Sequence, residues 1–234
     1  MRWTQAQPQG RARKPCEGHT VSVIDTCIYV LFGKHEDDAG NVVGPPLQML
    51  DTVTMALSQP HIAEIDGRSA IPDDREGHTA SVLGTKIYVF GGTWTDEEDN
   101  AIYMNDLHTL DVSSFTWEAR RPAASGSPPI EREGHTASVL GHLIWFFAGT
   151  WVDDDDNSVY LNDLHTLDTD TLTWASPRTQ GEAPMQREGH PASVVGARLF
   201  GLGGEGHDSH TPRTSRPTLS AYRGALPALS LRTA

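Results

Sequence analysis

With 234 residues, 37% hydrophobic and 21% charged, and with 22 Gly and 15 Pro, the chain is turn-rich, long enough for one domain or an array of smaller units, and unlike a helical bundle. No apolar run approaches the roughly 18 residues that cross a bilayer, and Met1-Arg2-Trp3-Thr4-Gln5 lacks the apolar stretch of a secretory signal, so no membrane role is expected. The net charge of −13 is unevenly held: all 31 acids lie in 16–208 beside only 10 bases, near −21, a surface that argues against nucleic acid and favours basic partners.

Residues 1–15 are a basic N-terminal segment with Arg2, Arg11, Arg13 and Lys14 and no acid. A first unit, about 16–74, opens on Cys16-Glu17-Gly18-His19-Thr20. Its apolar run ends at Phe32-Gly33, and Leu50-Asp51-Thr52-Val53-Thr54-Met55 follows, with Ile62 where later units carry tryptophan. Cys16 and Cys27 are the chain's two cysteines and make no CxxC pair. A reducing, cytoplasmic setting is therefore expected, and a disulfide framework is excluded.

The second unit, about 75–131, opens on Arg75-Glu76-Gly77-His78-Thr79-Ala80-Ser81-Val82-Leu83-Gly84, which recurs unchanged from Arg132 to Gly141. Between 75–117 and 132–174, 28 of 43 positions are identical without a gap, and that similarity defines a third unit, about 132–186. A partial fourth unit, 187–206, starts at Arg187-Glu188-Gly189-His190-Pro191. His19, His78, His135 and His190 are spaced by 59, 57 and 55 residues. Thirteen residues after each comes a small-residue step: Phe32-Gly33, Gly91-Gly92, Ala148-Gly149 and Gly203-Gly204.

Each unit predicts four short strands, at about 78–83, 86–91, 106–111 and 115–119 in the second. A lone four-stranded sheet cannot bury both faces, so successive units must pack on one another. Trp117 and Trp174, on the outer strands, supply apolar area between neighbours.

An apolar run closed by a glycine pair and followed, after a set interval, by tryptophan resembles the kelch motif, over roughly residues 16–206. Leu110 and Leu167 stand where the family has tyrosine. The resemblance implies an all-β fold of kelch-type β-propeller blades, each a four-stranded antiparallel meander. Propellers typically have about four to eight blades; this chain supplies about 3.5, an incomplete ring. Three outcomes are expected as alternatives: an open arc, self-association completing a propeller, or membership of a longer natural product. Residues 207–234, rich in Pro, Ser, Arg and Ala without period, read as a disordered basic tail.

Two acidic loops join the second and third strands of their units, Thr93 to Asn100 and Thr150 to Asn157. Trp94, Asp96, Glu97, Glu98 and Asp99, with Trp151, Asp153, Asp154, Asp155 and Asp156, make the expected docking surface for a Lys/Arg-rich segment of another protein. Arg120 and Arg121 are added because loop arginines of peptide-binding kelch propellers grip acidic motifs. Neither loop has the glycine or closing glutamate of an EF-hand, so no metal is assigned.

The histidines recur at one point of every unit, whereas a catalytic site needs different groups converging. His19, His78, His135 and His190 are expected to be structural, as are His108 and His165. Arg75, Arg132 and Arg187 are expected to pair between adjacent blades. The resemblance also admits enzymes, but neither the ligand set of a galactose-oxidase-like copper site nor the acidic triad of an iron-dependent kelch lyase is found. The expected function is a scaffold or interaction module with no cofactor and no catalytic residue.

Overall fold

The computed structural model of the chain describes residues 2–11, 14–36, 42–43, 47–64, 71–96, 98, 100–120, 126–206 and 219–223. No described segment is a helix long and apolar enough to cross a membrane. The first blade contains β1 (Thr20–Ile24), β2 (Cys27–Leu31), the short pair β3 (His35–Glu36) and β4 (Val42–Val43), β5 (Leu47–Asp51) and β6 (Ala56–Ser58). The second has β7 (Thr79–Leu83), β8 (Lys86–Phe90), the hairpin β9 (Thr93–Thr95) and β10 (Ala101–Tyr103), then β11 (Leu107–Asp111) and β12 (Thr116–Arg120). In the third, β13 (Thr136–Leu140) precedes two long strands, β14 (Leu143–Val152) and β15 (Ser158–Asp168), and β16 (Thr173–Ala175). The fourth unit holds β17 (Ala192–Val195), β18 (Arg198–Leu202) and β19 (Leu219–Arg223). The main sheets run β1-β2-β5-β6, β7-β8-β11-β12, β13-β14-β15-β16 and β17-β18-β19, all antiparallel.

Period-two side-chain alternation gives each blade two faces. In the second blade the pairs Val82↔Ile87, Ile87↔Leu110 and Leu110↔Trp117 line up one row across the sheet. That row buries against Tyr29, Leu31 and Phe32 of the first blade, and the Trp117 and Phe32 rings lie 5.7 Å apart. The third blade repeats the arrangement with Ile144, Leu167 and Trp174 against Phe90, whose ring is 5.2 Å from Trp174. The core therefore lies between blades, as the unsatisfied face of a lone sheet requires.

The turns between third and fourth strands are closed by one aspartate each. Asp51, Asp111 and Asp168 each accept a backbone N–H two residues on, at 2.8–2.9 Å. The second glycine of each pair is fixed by contact as well as by φ. A Cβ on Gly92 (φ 94°) would stand 2.5 Å from the Glu76 carbonyl oxygen, and one on Gly149 (φ 102°) 2.6 Å from that of Glu133. The first place tolerates Phe32 and Ala148 at positive φ, which explains why that half of the pair varies.

Two placements differ from the sequence expectation. Leu57, not Ile62, occupies the tryptophan position of the first blade, because Leu50↔Leu57 is the counterpart of Leu110↔Trp117; strand register overrides distance along the chain. Within 207–234, read as lacking order, Leu219–Arg223 forms β19 on the open edge of β18. An unpaired strand edge offers backbone groups that a short β-prone segment satisfies. The N-terminal segment is likewise engaged. Gln9 bridges Ala56 in parallel on β6, as Ala63 bridges Thr116 on β12.

Candidate functional site

Each blade-to-blade joint is built from the Arg-Glu-Gly-His run. Thr20 Oγ1 meets His78 Nε2 at 2.7 Å, Thr79 meets His135 at 2.8 Å and Thr136 meets His190 at 3.1 Å. The second glycine of each pair also donates to the next blade. Gly33 N reaches the Arg75 oxygen, Gly92 N that of Arg132 and Gly149 N that of Arg187, at 2.9–3.0 Å. Burial first, then the neighbouring arginine, pushes His78 down to about 3 and His190 down to about 4; His135 falls well below its ordinary value for the same reasons. These imidazoles are neutral joint pieces at pH 7. His19 opens the first blade and hydrogen-bonds Cys16 Sγ at 3.5 Å.

The arginines depart from expectation. Arg75 and Arg132 form their ion pairs within their own blades. Arg132 donates through Nη1 and Nη2 to Asp163 at 2.7 and 2.8 Å and to the Ala148 oxygen at 2.9 Å, with its side chain fully buried. Arg75 does the same with Asp106 and Gly91. Antiparallel pairing of the second and third strands brings each aspartate beside the small-residue step and so beside an arginine 31 residues earlier in sequence. Burial alone would raise the Asp106 and Asp163 carboxyls, but hydrogen bonds from His108, Arg75, Arg132 and His165 hold them far below the usual range. In the first blade both partners change together: Cys16 stands for the arginine, and Pro46 precedes β5 where aspartate precedes β11.

The glutamates of the run form an acidic row that the sequence reading missed; their recurrence at offsets of 57 and 55 residues was the available signal. Glu76 pairs with Lys34 of the preceding blade. Glu133 accepts from Thr93 Oγ1 at 3.0 Å and from the Tyr103 hydroxyl at 3.4 Å, both of the preceding blade. Burial raises Glu133 and Glu188 above the usual carboxylate range, reinforced by their acidic neighbours. Burial and Glu133 together push Tyr103 up to about 12.

From this row rise two hairpins of one design. Trp94 faces Ile102 across β9–β10, and Trp151 faces Val159 across β14–β15. Trp94 and Ile102 are exposed, while Trp151 is half-buried. Asp96 Oδ1 accepts the Glu98 and Asn100 N–H groups at 2.9 and 2.8 Å; Asp153 Oδ1 accepts those of Asp155 and Asn157 at 3.0 and 2.9 Å. The Asn100 side-chain amide first and then these backbone bonds hold Asp96 below its ordinary value, and the backbone bonds, Asn157 foremost, do the same for Asp153. Asp96 and Asp153 thus organise the tips, whereas Glu98, Asp154, Asp155 and Asp156 point to solvent. Glu97, Asp99 and Arg121 lie outside the described residues, and Arg120 ends β12.

Among the described residues, ligand atoms of His142, Asp168 and Asp170 lie within 4.8 Å of one another. Asp168 Oδ1 is already committed to its turn, through the N–H groups of Asp170 and Thr171.

Most of the chain is similar to known proteins. A family model described as the KLHDC2/KLHL20/DRC7 Kelch-repeats domain matches residues 1–204. Kelch domain-containing protein 3 of Bos taurus is 29% identical over 217 residues, covering 87% of this chain and 53% of that protein. Host cell factor 1 of Homo sapiens is 37% identical over 141 residues, 57% of this chain and 7% of that protein. The solved structure of YjhT shares the fold, with a TM-score of 0.60 at 18% identity over 82% of this chain and 59% of that one. The chain spans about half the length, or less, of these curated relatives.

Proposed function

The chain belongs to the kelch-repeat family, and on that premise we propose that it is a cytoplasmic interaction module that docks a Lys/Arg-rich segment of another protein. The observation that carries the proposal is the pair of hairpins, each with a Trp–aliphatic cross-strand pair beside an acidic tip. An aromatic flanked by an apolar partner gives an anchor, and surrounding carboxylates steer a cationic chain and reject acidic ones. Trp94, Trp151, Glu98, Asp154, Asp155 and Asp156 make the contacts, and Asp96 and Asp153 shape the tips. The buried, neutral, repeated histidines favour a scaffold over an enzyme, because nothing asymmetric converges on them.

A fluorescein-labelled peptide of about ten alternating Lys and Arg residues, followed by anisotropy, tests the reading. Replacement of residues 96–100 and 153–157 by Ser/Gly should weaken binding at least tenfold, and added salt should weaken the native complex. Equal affinity for both proteins overturns it.

A further inference from the structure

In the first three blades the aspartate turn between the third and fourth strands packs on the turn between the first and second. Thr52, Val112 and Thr169 donate their backbone N–H groups to the carbonyl oxygens of Thr26, Thr85 and His142, at 2.9–3.0 Å. The same three places are thereby set side by side in each blade: the facing-turn residue, the aspartate, and the residue two beyond it. In the first blade they hold Thr26, Asp51 and Val53. In the second they hold Thr85, Asp111 and Ser113, and both hydroxyls hydrogen-bond the carboxylate. In the third they hold His142, Asp168 and Asp170, at the end of the blade opposite its acidic hairpin.

Two hydroxyl donors of the second blade are thus exchanged together for an imidazole and a second carboxylate. Asp170 brings like charge beside Asp168 and withholds the hydroxyl that Ser113 gives Asp111, an arrangement that is unfavourable unless a cation is shared. The ligand atoms of all three side chains lie within 4.8 Å of one another. His142 Nε2 and Asp168 Oδ2 are 3.5 Å apart, beyond the roughly 2.7–3.2 Å of an N–H···O bond. That separation matches the edge, about 3.3–3.6 Å, of a tetrahedron with metal–ligand bonds of about 2.0–2.2 Å. The frame around the ligands is fixed. The His142 oxygen accepts Thr169 N–H at 3.0 Å and its hydroxyl at 2.7 Å, and Asp168 Oδ1 accepts the Asp170 and Thr171 N–H groups, which leaves Oδ2 facing the imidazole.

We propose that His142, Asp168 and Asp170 form a surface site for a divalent transition metal, Zn²⁺ foremost, with water as the fourth ligand. One imidazole and two carboxylates suit Zn²⁺, whereas Ca²⁺ and Mg²⁺ take about six or more oxygens. The bound ion bridges the β13–β14 and β15–β16 turns. The proposal is independent of the acidic hairpins.

Calorimetric titration of the full chain with ZnCl₂ tests it. His142→Thr and Asp170→Ser restore the second blade's residues, so the fold should survive, as circular dichroism of the metal-free variants checks. Each should weaken Zn²⁺ at least tenfold, and the rise in melting temperature that Zn²⁺ gives the wild type should shrink with it. Zn²⁺ held by other histidines or by the cysteines is common to all the variants. Conversely, Thr85→His combined with Ser113→Asp should add one bound Zn²⁺ per chain. A wild type that binds no Zn²⁺, or affinity and stoichiometry unchanged in His142→Thr and Asp170→Ser, overturns the proposal. Displacement of the Zn²⁺ by an equal concentration of Mg²⁺ does so too, as does a folded Thr85→His, Ser113→Asp chain that takes up no further ion.

Discussion

Thr79 Oγ1 and His135 Nε2 stand 2.8 Å apart across the joint between the second and third blades, with the imidazole buried against the Phe90 ring at 5.5 Å. One side chain thus serves as hydrogen-bond partner and as packing surface for the same neighbour. That double use accounts for the histidine at this point of the second, third and fourth units, His78, His135 and His190, and it ties up their imidazoles within the joints.

The bond itself should be measurable in a double-mutant cycle. Thr79→Val keeps the shape of the side chain and removes the hydroxyl, while His135→Phe keeps the ring. We expect a coupling of about 0.5–1.5 kcal/mol in urea unfolding. A coupling indistinguishable from zero assigns His135 to packing alone.

Acid should loosen the joints before it protonates the ion pairs. Burial lowers His78, His135 and His190 in the folded chain, so the unfolded chain takes up protons first as pH falls through about 6.5. Stability is therefore constant above that pH and is lost on the way down to the folded values, about 3 for His78 and about 4 for His190. The slope approaches roughly 1.4 kcal/mol per pH unit for each histidine that titrates. Glu133 and Glu188, raised by burial, act in the opposite direction near their own titration. Thermal melts from pH 7.5 to 5 should show a falling midpoint, flattened in His135→Phe; an equal fall in that variant contradicts the assignment.

Breaking the buried ion pair from one side should be worse than removing both sides. Asp163→Ala leaves the fully buried Arg132 guanidinium with carbonyl contacts but no counter-charge; because the Asp163 side chain is 36% exposed, water replaces part of it, and a loss of about 2 kcal/mol is expected. Arg132→Met combined with Asp163→Leu should recover a substantial part of it. The first blade has lost both partners together, at Cys16 and Pro46, which is the pattern such energetics produce.

These pairs also mark where sequence ceased to be sufficient. The 57-residue offset, the alternating strands and the placement of Trp117 and Trp174 between blades follow from local pattern and from the need to bury a second sheet face. The partner of Arg75 does not, because Asp106 is 31 residues away and only the folded meander brings it beside Gly91. Leu57 was hidden for a related reason: register, not chain distance, decides which residue of a divergent blade fills the tryptophan place. The acidic hairpins were legible as loops, yet the division of their acids into tip-forming Asp96 and Asp153 and solvent-facing neighbours depends on backbone N–H groups that sequence does not orient.

Two glycines of like φ sign should respond very differently to alanine. Gly84→Ala (φ 58°) meets open space and should cost about 1 kcal/mol from its left-handed backbone alone. Gly92→Ala (φ 94°) drives a methyl to 2.5 Å from the Glu76 carbonyl oxygen and 3.0 Å from His78. Both belong to the backbone of the same blade, held by the paired Glu76–Thr93 hydrogen bonds, so they cannot yield without breaking that bridge. A loss of at least ~3 kcal/mol, or failure to fold, is expected for the second variant alone. Comparable urea midpoints for the two would remove the close-approach explanation for the glycine pair.

The two classes of acid in the hairpins should separate on binding and on local order. Asp155 is exposed, so Asp155→Ser should leave the melting temperature within about a degree and weaken a Lys/Arg-rich peptide, most strongly at low salt where exposed charges are least screened. Asp153 instead gathers the Asp155 and Asn157 N–H groups onto one carboxylate oxygen. Asp153→Ala should therefore speed amide exchange at 155 and 157 by roughly tenfold, the loss of about one hydrogen bond's worth of protection. If it also weakens the peptide, that loss should depend less steeply on salt than the loss in Asp155→Ser, since what disappears is the shape of the tip as well as one charge. Identical salt slopes in the two variants would mean that the tips act as bulk negative charge, and the Trp151–Val159 pair beside them would then have no part in recognition.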